Sequence, residues 1–150
     1  MYPKIINYNT CSKSHKPTAN VIHTELDGRA VPGGPKIQTK ARGRAVLEIK
    51  NNNEFFVQVD VYDIENVTMA HIHFLNEKNP DQNGPILLWL FKTEIALKHH
   101  NGALVSRVFN LKELAQKMTM QQFKKYIHDC KLYYNVHTIQ NPNGELAGDV

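Results

Sequence analysis

An all-β domain, a sandwich or a barrel, is what this 150-residue sequence predicts, and three observations carry that expectation. Short runs rich in Val, Ile, Phe, Tyr and Thr recur along the chain, with Gly, Pro, Asn and Asp clusters between them. In one such run Phe55, Val57, Val59 and Val61 alternate with Phe56, Gln58, Asp60 and Tyr62. That period of two gives a strand one apolar face and one mixed face, as in a sheet packed on one side. The third observation is Val31-Pro32-Gly33-Gly34-Pro35, which excludes a helix because its prolines cannot donate to a helical ladder.

Taken in order, residues 1–17 read as an N-terminal tail ending near Pro17, and residues 18–150 as one domain. The first strand is expected at Ala19–Leu26, stopped by Asp27-Gly28, and the Pro/Gly segment follows as an extended crossover. Arg44–Lys50 and Phe55–Tyr62 flank the polar Asn51-Asn52-Asn53 turn and form the clearest hairpin. Val67–Leu75 is the fourth strand, followed by the loop Asn76–Gly84. Ile86–Phe91 is nearly all apolar and reads as a central buried strand containing the only tryptophan, Trp89. His99-His100, before Asn101-Gly102, reads as an exposed turn, and Ala103–Phe109 as the strand after it.

The period then changes. Leu111, Leu114, Ala115 and Met118 stand at i, i+3, i+4 and i+7, with Asn110 placed to cap and Glu113 to reciprocate. Thr119 and Gln122 offer a second capping box ahead of Phe123, Tyr126 and Ile127. One or two short helices over residues 111–129 should therefore lie across one end of the fold. Lys131–Thr138 and Glu145–Val150 close the chain as strands, joined by a turn containing Asn143-Gly144.

With 41% apolar and 21% charged residues, the chain can bury a core. The net charge of +4 comes from scattered residues, with Lys124-Lys125 the only adjacent basic pair, so no nucleic-acid footprint is expected. There is no 18-residue apolar run for a membrane-spanning helix. Met1–Lys16 lacks the apolar segment of a secretory signal, so the expectation is a protein that stays in the cytoplasm or leaves by another route. Cys11 and Cys130 are too isolated for a thiolate zinc knuckle. A disulfide between them and buried free thiols both remain open. Asp60 and Asp63 are read as solvent-facing, and nothing resembles a nucleophile–base pair, a carboxylate pair or a phosphate loop.

The residues that bear on chemistry are histidines. In Ala70-His71-Ile72-His73-Phe74, strand alternation puts His71 and His73 on one face and the core residue Ile72 on the other. In Tyr134-Asn135-Val136-His137-Thr138, Val136 faces inward, leaving Asn135 and His137 outside. If the two strands are neighbours, three imidazoles converge on one patch of the outer surface. Neutral imidazole is a common nitrogen ligand for zinc and copper, and three such ligands leave a position open for water or a partner's side chain.

The same residues carry a family resemblance. Asn66-Val67-Thr68-Met69-Ala70-His71-Ile72-His73 resembles the NVTAAHIH signature of CHRD (chordin-type) domains. Asn83-Gly84-Pro85-Ile86 with Leu90-Phe91, and Tyr134-Asn135-Val136-His137-Thr138 with Asn141-Pro142 and Gly144-Glu145-Leu146-Ala147-Gly148, are similar to later motifs of that family in the same order. The resemblance runs from about residue 18 to 150, although the family's Glu-Val-Pro-Pro is here Ala30-Val31-Pro32-Gly33. It implies an immunoglobulin-like β-sandwich, often in secreted proteins, and hence a place at a cell or spore surface. A shorter similarity, to the copper-binding strands of Cu/Zn superoxide dismutase, implies a Greek-key sandwich with metal at His71, His73 and His137.

Two functions follow as expectations. The first is a non-catalytic binding or structural module with a surface metal site for zinc or copper, acting through a protein partner or self-association. The alternative is a copper- or zinc-dependent metalloenzyme of the dismutase type. Asn66-Val67-Thr68 is formally a glycosylation sequon but is read as structural, with Asn66 capping the turn before the strand.

Overall fold

The computed structural model of the chain describes residues 20–150. The expected tail at residues 1–17, the first residue of the predicted strand at Ala19, and Cys11 fall outside them. Six antiparallel strands form in chain order: β1 (Val21–Gly28), β2 (Arg42–Ile49), β3 (Glu54–Phe74), β4 (Ile86–Asn110), β5 (Leu132–Thr138) and β6 (Leu146–Asp149). They build one sheet in the order β2-β1-β6-β5-β3-β4, and a further pairing of β2 with β3 closes it. Five strands thus form a ring, with β4 laid outside along β3. This barrel replaces the two separate sheets of the expected immunoglobulin-like or dismutase-like sandwich.

The reason lies in β3. Two strands with a break between them were expected over 55–75, yet the chain runs through as a single 21-residue strand. Asp63 (φ 52°) and Asn66 (φ 57°) take left-handed backbone there, and the register with β4 shifts on either side of them. Bends and bulges of this kind let one strand serve two parts of a sheet. Accordingly Phe55–Ile49 through Tyr62–Arg42 pair β3 with β2, while Val67–Thr138 through Phe74–Leu132 pair it with β5.

Further expectations change in β4 and beside it. Ile86–Phe91 and Ala103–Phe109 merge into β4, which pairs with β3 alone among the described strands. His99 and His100 therefore lie within the strand, opposite Glu65 and Ile64, instead of in a turn. Trp89, expected in a central buried strand, is 47% exposed, because an outside strand has only one neighbour to cover it. Asp60 is also corrected: it is buried, covered by Gln58 and Arg44, which donate to its carboxylate at 3.1 and 3.3 Å. Asp63 is exposed and pairs with Arg42.

The core follows the alternation read from the sequence. Phe55, Val57, Val59 and Val61 are all fully buried, together with Leu47, Ile72, Val136 and Leu146. Helix α1 (Met120–His128) closes one end, setting Phe123 against Phe55 at 4.8 Å between ring centroids. Burying one such phenylalanine stabilises the fold by roughly 1.5–3 kcal/mol. Both predicted capping boxes form, Asn110 with Glu113 and Thr119 with Gln122. The first opens only a 3-10 turn, Leu111–Glu113, although Leu111, Leu114 and Met118 are buried as the spacing implied. Cys130, just past α1, is disulfide-bonded.

Candidate metal centre

The pairing of β3 with β5 brings the three histidines together. His71 lies opposite Asn135, and His137 lies opposite Met69, so alternation puts His71, His73 and His137 on one face. One nitrogen from each ring falls within 4.8 Å of the others. His71 Nδ1 stands 3.1 Å from His137 Nε2. Zinc–nitrogen bonds of about 2.0–2.1 Å place tetrahedral ligand atoms about 3.3 Å apart. That pair already has a chelating separation, but in the metal-free cluster His71 Nδ1 donates to His137 Nε2, so its proton must move to Nε2 before Nδ1 can ligate. Nitrogens as far apart as 4.8 Å must close by about 1.5 Å.

The second nitrogens decide the tautomers. His73 Nδ1 lies 2.8 Å from Gly84 O, and His137 Nδ1 lies 2.8 Å from Pro142 O. A carbonyl oxygen only accepts, so each Nδ1 donates its proton and each Nε2 keeps a lone pair. This is how metal-ligating histidines are held, with the far nitrogen anchored on a carbonyl or carboxylate. The Nε2 atoms of His71 and His73 are buried and have no hydrogen-bond partner in the protein. Buried polar atoms are rarely left so.

The histidines converge as expected, but not on the exposed surface patch that the strand alternation predicts. His71, His73 and His137 are all buried. Loops fold over that outer face of the sheet and supply the polar partners its side chains need. Asn135 Nδ2 donates to Ala30 O and, at 3.3 Å, to Asn143 O. Tyr133 Oη donates to Asn83 Oδ1 at 2.9 Å and accepts from Gly84 N at 3.1 Å. Asn83 in turn donates to Asn143 O. Gly144, with φ 124°, passes so close that a Cβ there would sit 2.3 Å from Asn135 Nδ2. The ring of His73 stacks on Tyr133, and His71 meets the half-exposed Trp89 edge to face at 4.2 Å between centroids. The sequence places Asn83 in a motif and Asn135 on the outer face, and gives neither these nor Tyr133 a role at the histidines. Their contacts come from loops distant in sequence.

Burial sets the charge of the cluster. Desolvation, then the neighbouring His137 and His73, pushes His71 from 6.5 down to about 3. Desolvation, against the Gly84 carbonyl that favours the charged ring, brings His73 to about 4. His137 is lowered by burial despite Pro142 O. All three are therefore neutral near pH 7, the form that ligates metal. The sign for stability follows. Below pH 6.5 the unfolded chain takes up protons that the folded rings refuse, so acid favours unfolding. The denaturation midpoint of metal-free protein should fall as pH drops from 6.5 toward 4. Urea titrations should show that slope reduced in His71→Gln. A wild-type midpoint flat over this window would contradict the burial of neutral rings.

A groove of about 810 Å³ beside Asn53, Leu111, Met118 and Met120 lies at the helical end and includes none of the histidines. The chemistry-bearing groups lie elsewhere, at the β3–β5 pairing. No described helix is long and apolar enough to cross a membrane.

A closed antiparallel barrel with a buried histidine triad under its loops defines a small all-β domain with a candidate metal site. Residues 22–150 match the family model of the CHRD domain, and the chain belongs to that family. No curated protein and no solved structure matches it.

Proposed function

We propose that this CHRD domain is a non-catalytic binding or structural module in which His71, His73 and His137 hold one zinc or copper ion. The observation that carries this reading is the convergence of three buried imidazoles, with the Nδ1 protons of His73 and His137 anchored on Gly84 O and Pro142 O and the buried Nε2 of His73 left unpartnered. An ion there ties β3 to β5 and fixes the covering loops, adding binding free energy to folding free energy. Its interaction with a protein partner or another copy is supported by β4. That strand carries the exposed Trp89, Ile95 and Val108 along the outside of the ring.

Metal content by mass spectrometry, after separate exposure to zinc and copper, tests the site. Wild-type protein should retain close to one equivalent, and a His71→Ala/His137→Ala double variant essentially none. Equal, low retention in both would remove the metal site and leave the histidines a structural role.

A further inference from the structure

Three neutral imidazoles bring an ion ligands but no charge. A divalent cation in a buried site with only neutral ligands is poorly compensated, and an accompanying anion relieves that cost. Among the described residues no Asp, Glu or Cys joins the histidine cluster. The buried carboxylate of the neighbouring loop, Glu145, is already committed to Thr39, Thr138, Gln140 and Asn141. The fourth ligand of a three-histidine site must then come from outside the described set.

The approach to the cluster bears the charge such a ligand would seek. Trp89 stands edge to face against His71 and is half exposed, so one aromatic ring separates that imidazole from solvent. Lys92 Nζ lies over the same ring, 5.2 Å from its centroid. A cation on the ring that shields a low-dielectric site raises the local concentration of anions there.

We propose that the metal ion takes a small exogenous anion, of the size of azide or a short carboxylate, as its fourth ligand, admitted past Trp89 and Lys92. This rests on the metal reading above. Cobalt(II) replaces zinc and reports its coordination in visible absorption, so the full chain loaded with cobalt would be titrated with azide and, separately, acetate at constant ionic strength. Both anions should shift the spectrum saturably. Lys92→Gln should bind cobalt at the same stoichiometry but weaken anion affinity about three- to tenfold. One equivalent of bound cobalt with a spectrum unmoved by either anion would overturn the inference and leave the metal site standing. An anion affinity unchanged in Lys92→Gln would overturn the assigned entry. Failure to bind cobalt, zinc and copper alike would overturn the metal reading itself.

Discussion

Gly84→Ala should cost the domain both stability and its metal affinity. A Cβ on Gly84 would sit 1.8 Å from Phe74 O, 2.9 Å from Phe74 C and 3.0 Å from Asn76 N. These are backbone atoms and cannot swing aside, so the loop itself must move. Gly84 is needed here for close approach of two chain segments. Its own amide and carbonyl are both committed, donating to Tyr133 Oη and accepting from His73 Nδ1. Displacing it therefore strains the loop, breaks the bond that sets the His73 tautomer, and loosens Tyr133, on which His73 stacks. Overpacking with loss of buried hydrogen bonds should destabilise by about 2–4 kcal/mol. Loss of an outer-shell anchor should lower metal affinity about 10- to 100-fold. Urea denaturation of metal-free protein reads the first effect and zinc competition with a chelator reads the second. His71→Ala is the useful comparison, since it removes a ligand without moving the loop. Wild-type values in Gly84→Ala for both measurements would show that the Phe74–Gly84 approach is not a constraint.

What was legible in the sequence is what depends on near neighbours. The alternation from Phe55 to Tyr62 is a property of one strand, and it places Val57, Val59 and Val61 in the core as read. The two capping boxes span three residues each and form where Asn110 and Thr119 stand. The His71–His73 pair and His137 could be put outside the core from alternation alone, but that their strands are neighbours was only a condition of the reading, met by the pairing of β3 with β5. The barrel was not legible, because closure depends on a bend at Asp63 and Asn66, and neither is a glycine that would advertise positive φ. The apolar run Ile86–Phe91 carried no sign that it would be an outside strand, since apolar content alone cannot separate edge from centre. The burial of the triad was hidden for a related reason. It is made by the carbonyls of Gly84 and Pro142 and the side chain of Asn83, partners that strand periodicity does not address.

Glu145 is the second position where a single change should be felt strongly, and through a different route. It is 3% exposed and accepts hydrogen bonds from Thr39 on Oε2 and from Thr138, Gln140 and Asn141 on Oε1. Those donors come from the crossover before β2, the end of β5, and the loop that carries Pro142. Glu145→Ala removes the shared acceptor and leaves the proton of the Thr138 hydroxyl, at 1% exposure, without an acceptor, although its oxygen still accepts from Asn141 N, while Gln140 at the surface can turn to water. Because the carboxylate is an ionised acceptor, its bonds count for more than neutral ones. A loss of about 3 kcal/mol follows, which in a domain of this size lowers Tm by about 6–12 °C. Circular dichroism melts of metal-free protein measure it directly. Glu145→Gln should fall between wild type and Glu145→Ala, since the amide keeps one acceptor oxygen but loses the charge. Placing the two variants side by side separates charge from shape. A Gln variant as stable as wild type would mean that filled space and one acceptor suffice. A Gln variant as weak as Ala would mean that the negative charge holds the loop, and with it the Pro142 carbonyl that orients His137.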